Sequence, residues 1–140
     1  MTTATQMARI GNFMSVDPIV IDSDATAAEA ERLMKTYHVT GLPVIHEGHL
    51  AGVISQSDII VARSSEMIGP HWDRVRVRHL MTSPAVTIHT TATVRHAAAL
   101  MLEREIHRLV VVDDEGQPIG VVTTLDLLRS LTEPTVTPAA

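Results

Sequence analysis

Apolar positions along the chain fall into two matching series. Ile19-Val20-Ile21 is a short apolar run, and Ala27, Ala30, Leu33, Met34 and Tyr37 then recur at helical spacing behind Thr26 and Glu29, which are placed as a capping box. Leu42-Pro43-Val44-Ile45 and Leu50-Ala51-Gly52-Val53-Ile54 flank Glu47-Gly48, which predicts two strands joined by a tight turn. A helix is predicted next, over 57–62. The second series begins at Val86-Thr87-Ile88 and continues with a helix opened by Thr93, with Val94, Ala97, Leu100 and Met101 on one face. Strands over 109–112 and 119–122 follow around Glu115-Gly116, then a helix over 125–131.

The two series are one unit written twice, at a period of about 67 residues. Met14 falls on Met81, Ile21 on Ile88, Ala25-Thr26 on Ala92-Thr93, and Leu33-Met34 on Leu100-Met101. One extra residue in the second turn then moves the register, so that Gly52-Val53 and Asp58 fall on Gly120-Val121 and Asp126. The pattern predicts repeats over 10–63 and 77–131, a linker over 64–76 and an irregular tail over 132–140. Gly69-Pro70 breaks regular structure in the linker, and Pro134 and Pro138 do so in the tail. The stretch up to Ala8 is expected to be loose. A single repeat would bury too little surface to stand comfortably alone, so the fold expected is α+β, with two β-α-β-β-α repeats packed together.

Composition narrows the partners. With 140 residues, 45% hydrophobic and 19% charged, the chain reads as globular. A formal charge of -5 argues against a broad nucleic-acid or anionic-membrane footprint. There is no cysteine, which removes disulfides, thiolate zinc sites and thiol nucleophiles. Neither a long apolar span nor a charged-then-apolar opening at Met1-Thr2-Thr3-Ala4 is present, and a cytoplasmic location is expected.

Candidate chemistry sits where the last strand of each repeat enters its last helix: Gly52-Val53-Ile54-Ser55-Gln56-Ser57-Asp58 and Gly120-Val121-Val122-Thr123-Thr124-Leu125-Asp126. A hydroxyl and a carboxylate three residues apart at a helix start suit a phosphate beside backbone N–H groups, and the carboxylate suits neighbouring sugar hydroxyls. The same spacing also describes a cap that merely closes the helix. Both readings stand on the residues alone.

These segments, with Ile106-His107-Arg108-Leu109-Val110-Val111-Val112-Asp113 and Val39-Thr40-Gly41-Leu42-Pro43-Val44, resemble CBS domains, the family named after cystathionine beta-synthase. The openings Phe13-Met14-Ser15 and Leu80-Met81-Thr82-Ser83-Pro84 fit as well, and the second repeat is similar to the gamma subunit of AMP-activated protein kinase. The resemblance implies a pseudo-twofold CBS-domain pair that binds AMP, ADP or ATP in clefts between the repeats. No cofactor is required, and magnesium is an optional companion of the nucleotide. Some relatives bind S-adenosylmethionine instead. Carried over by position, Asp126 would hold ribose in one cleft with Thr123 near phosphate, and Ile19, Val39, Thr40 and Gly41 would line the base pocket. Asp58 and Ser55 would serve the other cleft, with Val86, Ile106 and His107. His107 and Arg108 would point at phosphates near the centre. Arg108 is a permanently charged fork matched to phosphate oxygens. At 2% aromatic content a purine would lie against aliphatic walls rather than in an aromatic clamp.

The repeats are unequal. Thr40-Gly41 stands where repeat two has His107-Arg108, and Leu125 stands where repeat one has Ser57, so unequal clefts are expected. Other readings are weaker. His46-Glu47-Gly48-His49 straddles a turn without a third metal ligand, so solvated turn residues are the better reading. Arg74, Arg76 and Arg78 read as a solvated strand face, and Trp72 as a cover for the core edge. No Gly-x-Ser-x-Gly, His-Glu-x-x-His or phosphate-loop motif is present, and no enzymatic activity is expected. The function expected is a stand-alone regulatory module, homodimeric, acting on an unidentified protein target and signalling occupancy by shape or assembly. The competing class is a dimerisation module with vestigial clefts.

Overall fold

The computed structural model describes residues 7–132. Residues before Met7, and the expected tail beyond Thr132, lie outside the described residues. The chain divides into two compact units, one formed by Pro18–Val86 and the other by the segment ending at Asp17 together with the chain from Thr87 onward.

In the Pro18–Val86 unit the strands β2 (Ile21–Asp22), β3 (Gly41–His46) and β4 (His49–Ser55) form one sheet, in the order β2-β3-β4. The helix α1 (Ala27–Tyr37) carries the chain from β2 to its parallel neighbour β3, and the helix α2 (Gln56–Ser64) follows β4. Parallel neighbours need such a crossover, whereas β3 and β4 are antiparallel and need only the two-residue turn at Glu47-Gly48. Both turn residues have positive φ, 49° and 79°, the geometry that matches the twist of the flanking strands. Ile21, Ala30, Met34, Leu42, Val44, Ile54, Ile59 and Val77 form the core. The expected strand at 19–21 starts later, because pairing begins at Ile21 opposite Val44. Tyr37, expected on the buried face of α1, is 51% exposed; the helix ends there, with His38 in the left-handed region at φ 54°.

The other unit repeats the arrangement with β5 (Thr87–His89), the helix α4 (Val94–Arg104), β6 (Arg108–Val112), β7 (Pro118–Thr123) and the helix α5 (Thr124–Ser130). Its sheet has a fourth member, β1 (Ser15–Val16), antiparallel to β7, giving the order β1-β7-β6-β5. The turn after β6 is longer, and Asp113 organises it. Its Oδ1 accepts hydrogen bonds from the amides of Glu115 and Gln117 at 2.9 and 3.0 Å, with Gly116 at φ 77°.

Each unit is closed by the segment that precedes the other repeat. The amide of Ala27 donates to the Val75 carbonyl at 2.9 Å and that of Val77 to Ala25 at 2.8 Å. The amides of Val94 and Ile10 donate in the same way to Ala8 and Ala92, at 2.8 and 2.9 Å. Ile10 and Val77, which stand at equivalent positions, are both fully buried. Ala8, expected to be loose, is therefore tied down. Val77 opens the short helix α3 (Val77–Leu80), after which Thr82 exchanges hydrogen bonds with Val53 at 2.9 and 3.0 Å. The arginines expected on a strand face instead run through a 3-10 turn, Gly69–Arg74, and into α3, and all three are exposed. Arg78 pairs with Asp24. Trp72 packs against the core beside Leu80 and Met81, with the Arg63 guanidinium 5.3 Å from its ring centroid.

A glycine sits at each of these contacts: Gly120 opposite Val16 where β1 lies against β7, and Gly52 next to Val53 where Thr82 approaches. A Cβ on Gly120 would stand 2.6 Å from Met14 Sδ and 2.7 Å from the Ser15 carbonyl oxygen, and one on Gly52 would overlap the Thr82 carbonyl oxygen. Gly120→Val is therefore expected to destabilise the protein by about 1–3 kcal/mol, read as a lowered urea midpoint. An unchanged midpoint would contradict the close approach of β1 to β7.

Candidate functional site

The strand–helix junctions are built identically in the two units. Ser55, with extended backbone, caps α2: its Oγ accepts a hydrogen bond from the Asp58 amide at 3.1 Å, and Asp58 Oδ2 accepts one from the Ser55 amide at 2.8 Å. Thr123 and Asp126 make the same reciprocal pair at 3.2 and 2.8 Å. The first helical amides are also satisfied, Gln56 donating to the Thr40 carbonyl at 2.8 Å and Thr124 to the His107 carbonyl at 2.9 Å. The capping reading of the Ser/Thr-x-x-Asp motif is thus realised twice, which fixes the carboxylates and assigns Oδ2 of each to its own main chain.

The second carboxylate oxygen distinguishes the units. Asp126 is 8% exposed, and its Oδ1 accepts a hydrogen bond from Arg129 Nη1 at 3.2 Å. Val61 occupies the equivalent position in repeat one, so half-buried Asp58 has no such cation beside it. Among the described residues Asp58 Oδ1 has no hydrogen-bond partner, whereas Asp126 Oδ1 has Arg129. The Arg129 side chain is 61% exposed and that of Asp126 10%, so the cation reaches the buried carboxylate from the solvent side.

The fold brings several expected site residues together within each unit. Gly41 pairs with Ser55 across β3 and β4, which sets Thr40 and Gly41 beside the Ser55–Asp58 junction. Arg108 pairs with Thr123 across β6 and β7, which sets His107 and Arg108 beside Thr123 and Asp126. Val39 is half-buried against the core of its unit, while Thr40 and His107 are exposed and Ile106 and Arg108 half-buried. Ile19 and Val86 are half-buried residues of the Pro18–Val86 unit. Asp126 and the Val39, Thr40 and Gly41 group belong to different units, as do Asp58 and the Ile106-His107 pair. Arg129 went unnoticed in the sequence; its signal was a basic residue three positions after Asp126 on one helix.

A cavity of about 410 Å³ opens between α1 and α2, lined by buried Met34 and Ile59 and by Val39, with exposed Lys35, His38 and Ile60 also bordering it. It includes Val39 and Thr40 of the expected site, but not Ser55 or Asp58. Among the described residues no group of three or more side chains is placed to hold a metal ion, and His46 Nδ1 bonds to the buried Ser23 hydroxyl at 2.9 Å. No helix among them is long and apolar enough to cross a membrane.

A family model described as the CBS domain matches residues 10–65 and again 77–133. The chain belongs to the CBS-domain family. CBSX2 of Arabidopsis thaliana, solved in complex with AMP, is similar at a TM-score of 0.77 and 30% identity, over 89% of this chain and 96% of its own. The CBS domain pair of protein MJ0100, solved with 5′-methylthioadenosine and S-adenosyl-L-methionine, is similar at a TM-score of 0.78 and 27% identity, over 90% and 97%. Inosine-5′-monophosphate dehydrogenase of Korarchaeum cryptofilum is 28% identical over 134 residues, which is 96% of this chain and 26% of that enzyme. The CBS pair thus spans about a quarter of the dehydrogenase it matches.

Removing the cap hydroxyls tests the junction geometry. Ser55→Ala and Thr123→Ala should each lower unfolding free energy by about 0.5–2 kcal/mol in denaturant titrations. Losses indistinguishable from zero would mean that the reciprocal caps do not hold the helices.

Proposed function

We propose that the chain is a regulatory module, not itself catalytic, that binds an adenosine-containing nucleotide (AMP, ADP or ATP) and reports occupancy through conformation or assembly as a homodimer. The observation that carries this reading is the solved CBS pair with AMP, together with a second one holding 5′-methylthioadenosine and S-adenosyl-L-methionine. Adenine and ribose are what those three ligands share. A twice-built junction that presents a fixed carboxylate is chemically suited to the ribose, since an ionised carboxylate accepts from two neighbouring hydroxyls.

Asp58 with Ser55, and Asp126 with Thr123, are the proposed sugar and phosphate residues of two sites. Ile19, Val39, Thr40, Gly41, Val86 and Ile106 take base-lining roles by family resemblance. His107 and Arg108 favour a 5′-phosphate over the sulfonium of S-adenosylmethionine, because a guanidinium attracts an anion and repels a cation. Magnesium enters only as the companion of ADP or ATP. The Arg129 bond to Asp126 Oδ1, with no equivalent at Asp58 among the described residues, supports unequal affinities.

The competing reading, an association module that binds nothing, draws on the carboxylates already serving as caps. Titration of AMP, ADP, ATP and S-adenosylmethionine against thermal stability and the fluorescence of Trp72 separates the two. The proposal expects a saturable response to at least one nucleotide, and silence towards all four ligands would favour the competitor.

Asp58→Ala and Asp126→Ala should each weaken nucleotide binding at their own site by about 10–100-fold, the worth of a charged hydrogen bond. Arg108→Ala should weaken ADP and ATP more than adenosine. Equal losses for all three ligands would remove Arg108 from the phosphate.

A further inference from the structure

The last helix of each repeat carries one arginine, and the two arginines serve different acids. In α2 it is Arg63, five residues after Asp58; in α5 it is Arg129, three residues after Asp126. Residues three apart on a helix are neighbours and residues five apart are not, so only Arg129 turns back to the carboxylate of its own cap. Arg63 instead reaches Glu31 of α1 at 2.5 Å and lies over the Trp72 ring. Repeat two has Ala98 at the position of Glu31, so the acid that engages Arg63 has no counterpart there.

The two carboxylates therefore differ in what a sugar meets. Asp126 Oδ2 accepts from the Thr123 amide and Oδ1 from Arg129 Nη1, and the Asp126 side chain is only 10% exposed. A hydroxyl arriving from solvent competes there with a charged donor, and a charged hydrogen bond is the stronger one. Oδ1 has a second lone pair, yet a carboxylate already neutralised by a cation is the weaker acceptor for it. Drawing the cation away leaves a buried charge unpaired, which is subtracted from the binding free energy of the ligand. Asp58 has no cation beside it among the described residues, because exposed Val61 stands where Arg129 does. No such penalty applies there.

We propose that Arg129 is an internal competitor for the ribose hydroxyls at Asp126, lowering the affinity of that junction and leaving Asp58 the stronger site. This rests on the nucleotide reading above and adds which residue sets the difference, and in which direction. Adenosine is the probe, because it has both ribose hydroxyls and no phosphate for Arg129 to attract. The control is 2′,3′-dideoxyadenosine, which lacks those hydroxyls. Binding is measured by calorimetry in an Asp58→Ala background, so that only the Asp126 junction responds. Arg129→Val, which copies repeat one, and Arg129→Gln should each tighten adenosine by about three- to tenfold, the worth of one hydrogen bond, and leave dideoxyadenosine unchanged. In an Asp126→Ala background, Val61→Arg should weaken adenosine by a similar factor. Both substituted side chains are more than half exposed, so the core is untouched. Unchanged or weaker adenosine binding in both Arg129 variants would overturn the proposal. Equal tightening of the two nucleosides would overturn it too, because a competitor for hydroxyls cannot affect a ligand that has none. Failure of the underlying reading looks different: neither adenosine nor AMP would bind the unsubstituted chain, and the competitor would fall with its site.

Discussion

A reciprocal pair of hydrogen bonds, in which the cap hydroxyl accepts from the aspartate amide and the aspartate carboxylate accepts from the cap amide, governs both halves of this molecule. It satisfies two amides that the start of α2 or α5 would otherwise leave bare, and it locks the carboxylate against rotation. A carboxylate held through Oδ2 has one direction left for Oδ1. The same two bonds therefore fix where the last helix begins and where a charged acceptor points. Under the proposed function, cap and candidate chemistry are not alternatives at Ser55–Asp58 and Thr123–Asp126, because a carboxylate already held by its cap is preorganised as an acceptor.

Much of this was legible in the chain because the relevant signals are local. Thr26, Thr93, Glu47-Gly48 and the Ser/Thr-x-x-Asp segments act within a few residues, and each forms a cap or turn where its pattern predicts one, although Thr26 caps its helix without the reciprocal Glu29 bond of a capping box. The closing segments were not legible. Ile10 and Val77 look like the heads of their own repeats, yet each is buried in the unit that contains the other repeat's sheet. A 67-residue period reads the same whether a segment packs forward or back, and only the hydrogen bonds of Ala8, Ala25, Val75 and Ala92 decide it. Tyr37 was misread for a related reason: helical spacing marks a face, but the helix ends before that face meets the core at its last position. The two strand–helix junctions were legible in their residue types. They were not legible in the state of each carboxylate, which Arg129 and Val61 set from the next turn of helix.

Duplication with divergence explains the pattern of differences. Positions that hold the fold are kept in pairs: Leu42 and Leu109, Val44 and Val111, and the two glycines that admit a neighbouring backbone. Positions that face outward have drifted in charge and size: Thr40 against His107, Val61 against Arg129, and Lys35 against Leu102. Core volume constrains the first set, since packing errors there cost about 1–5 kcal/mol each. The second set is free to specialise, which leaves two junctions with unlike surroundings on one scaffold.

The most direct test is a crystal structure of the chain grown with AMP. The account predicts ribose hydroxyls within hydrogen-bond distance of Oδ1 of Asp58 or Asp126, with the 2.8 Å bonds from Oδ2 to the cap amides intact. AMP bound with its ribose away from both carboxylates, or caps broken to reach it, would contradict the claim that one bond pattern serves both the helix and the sugar.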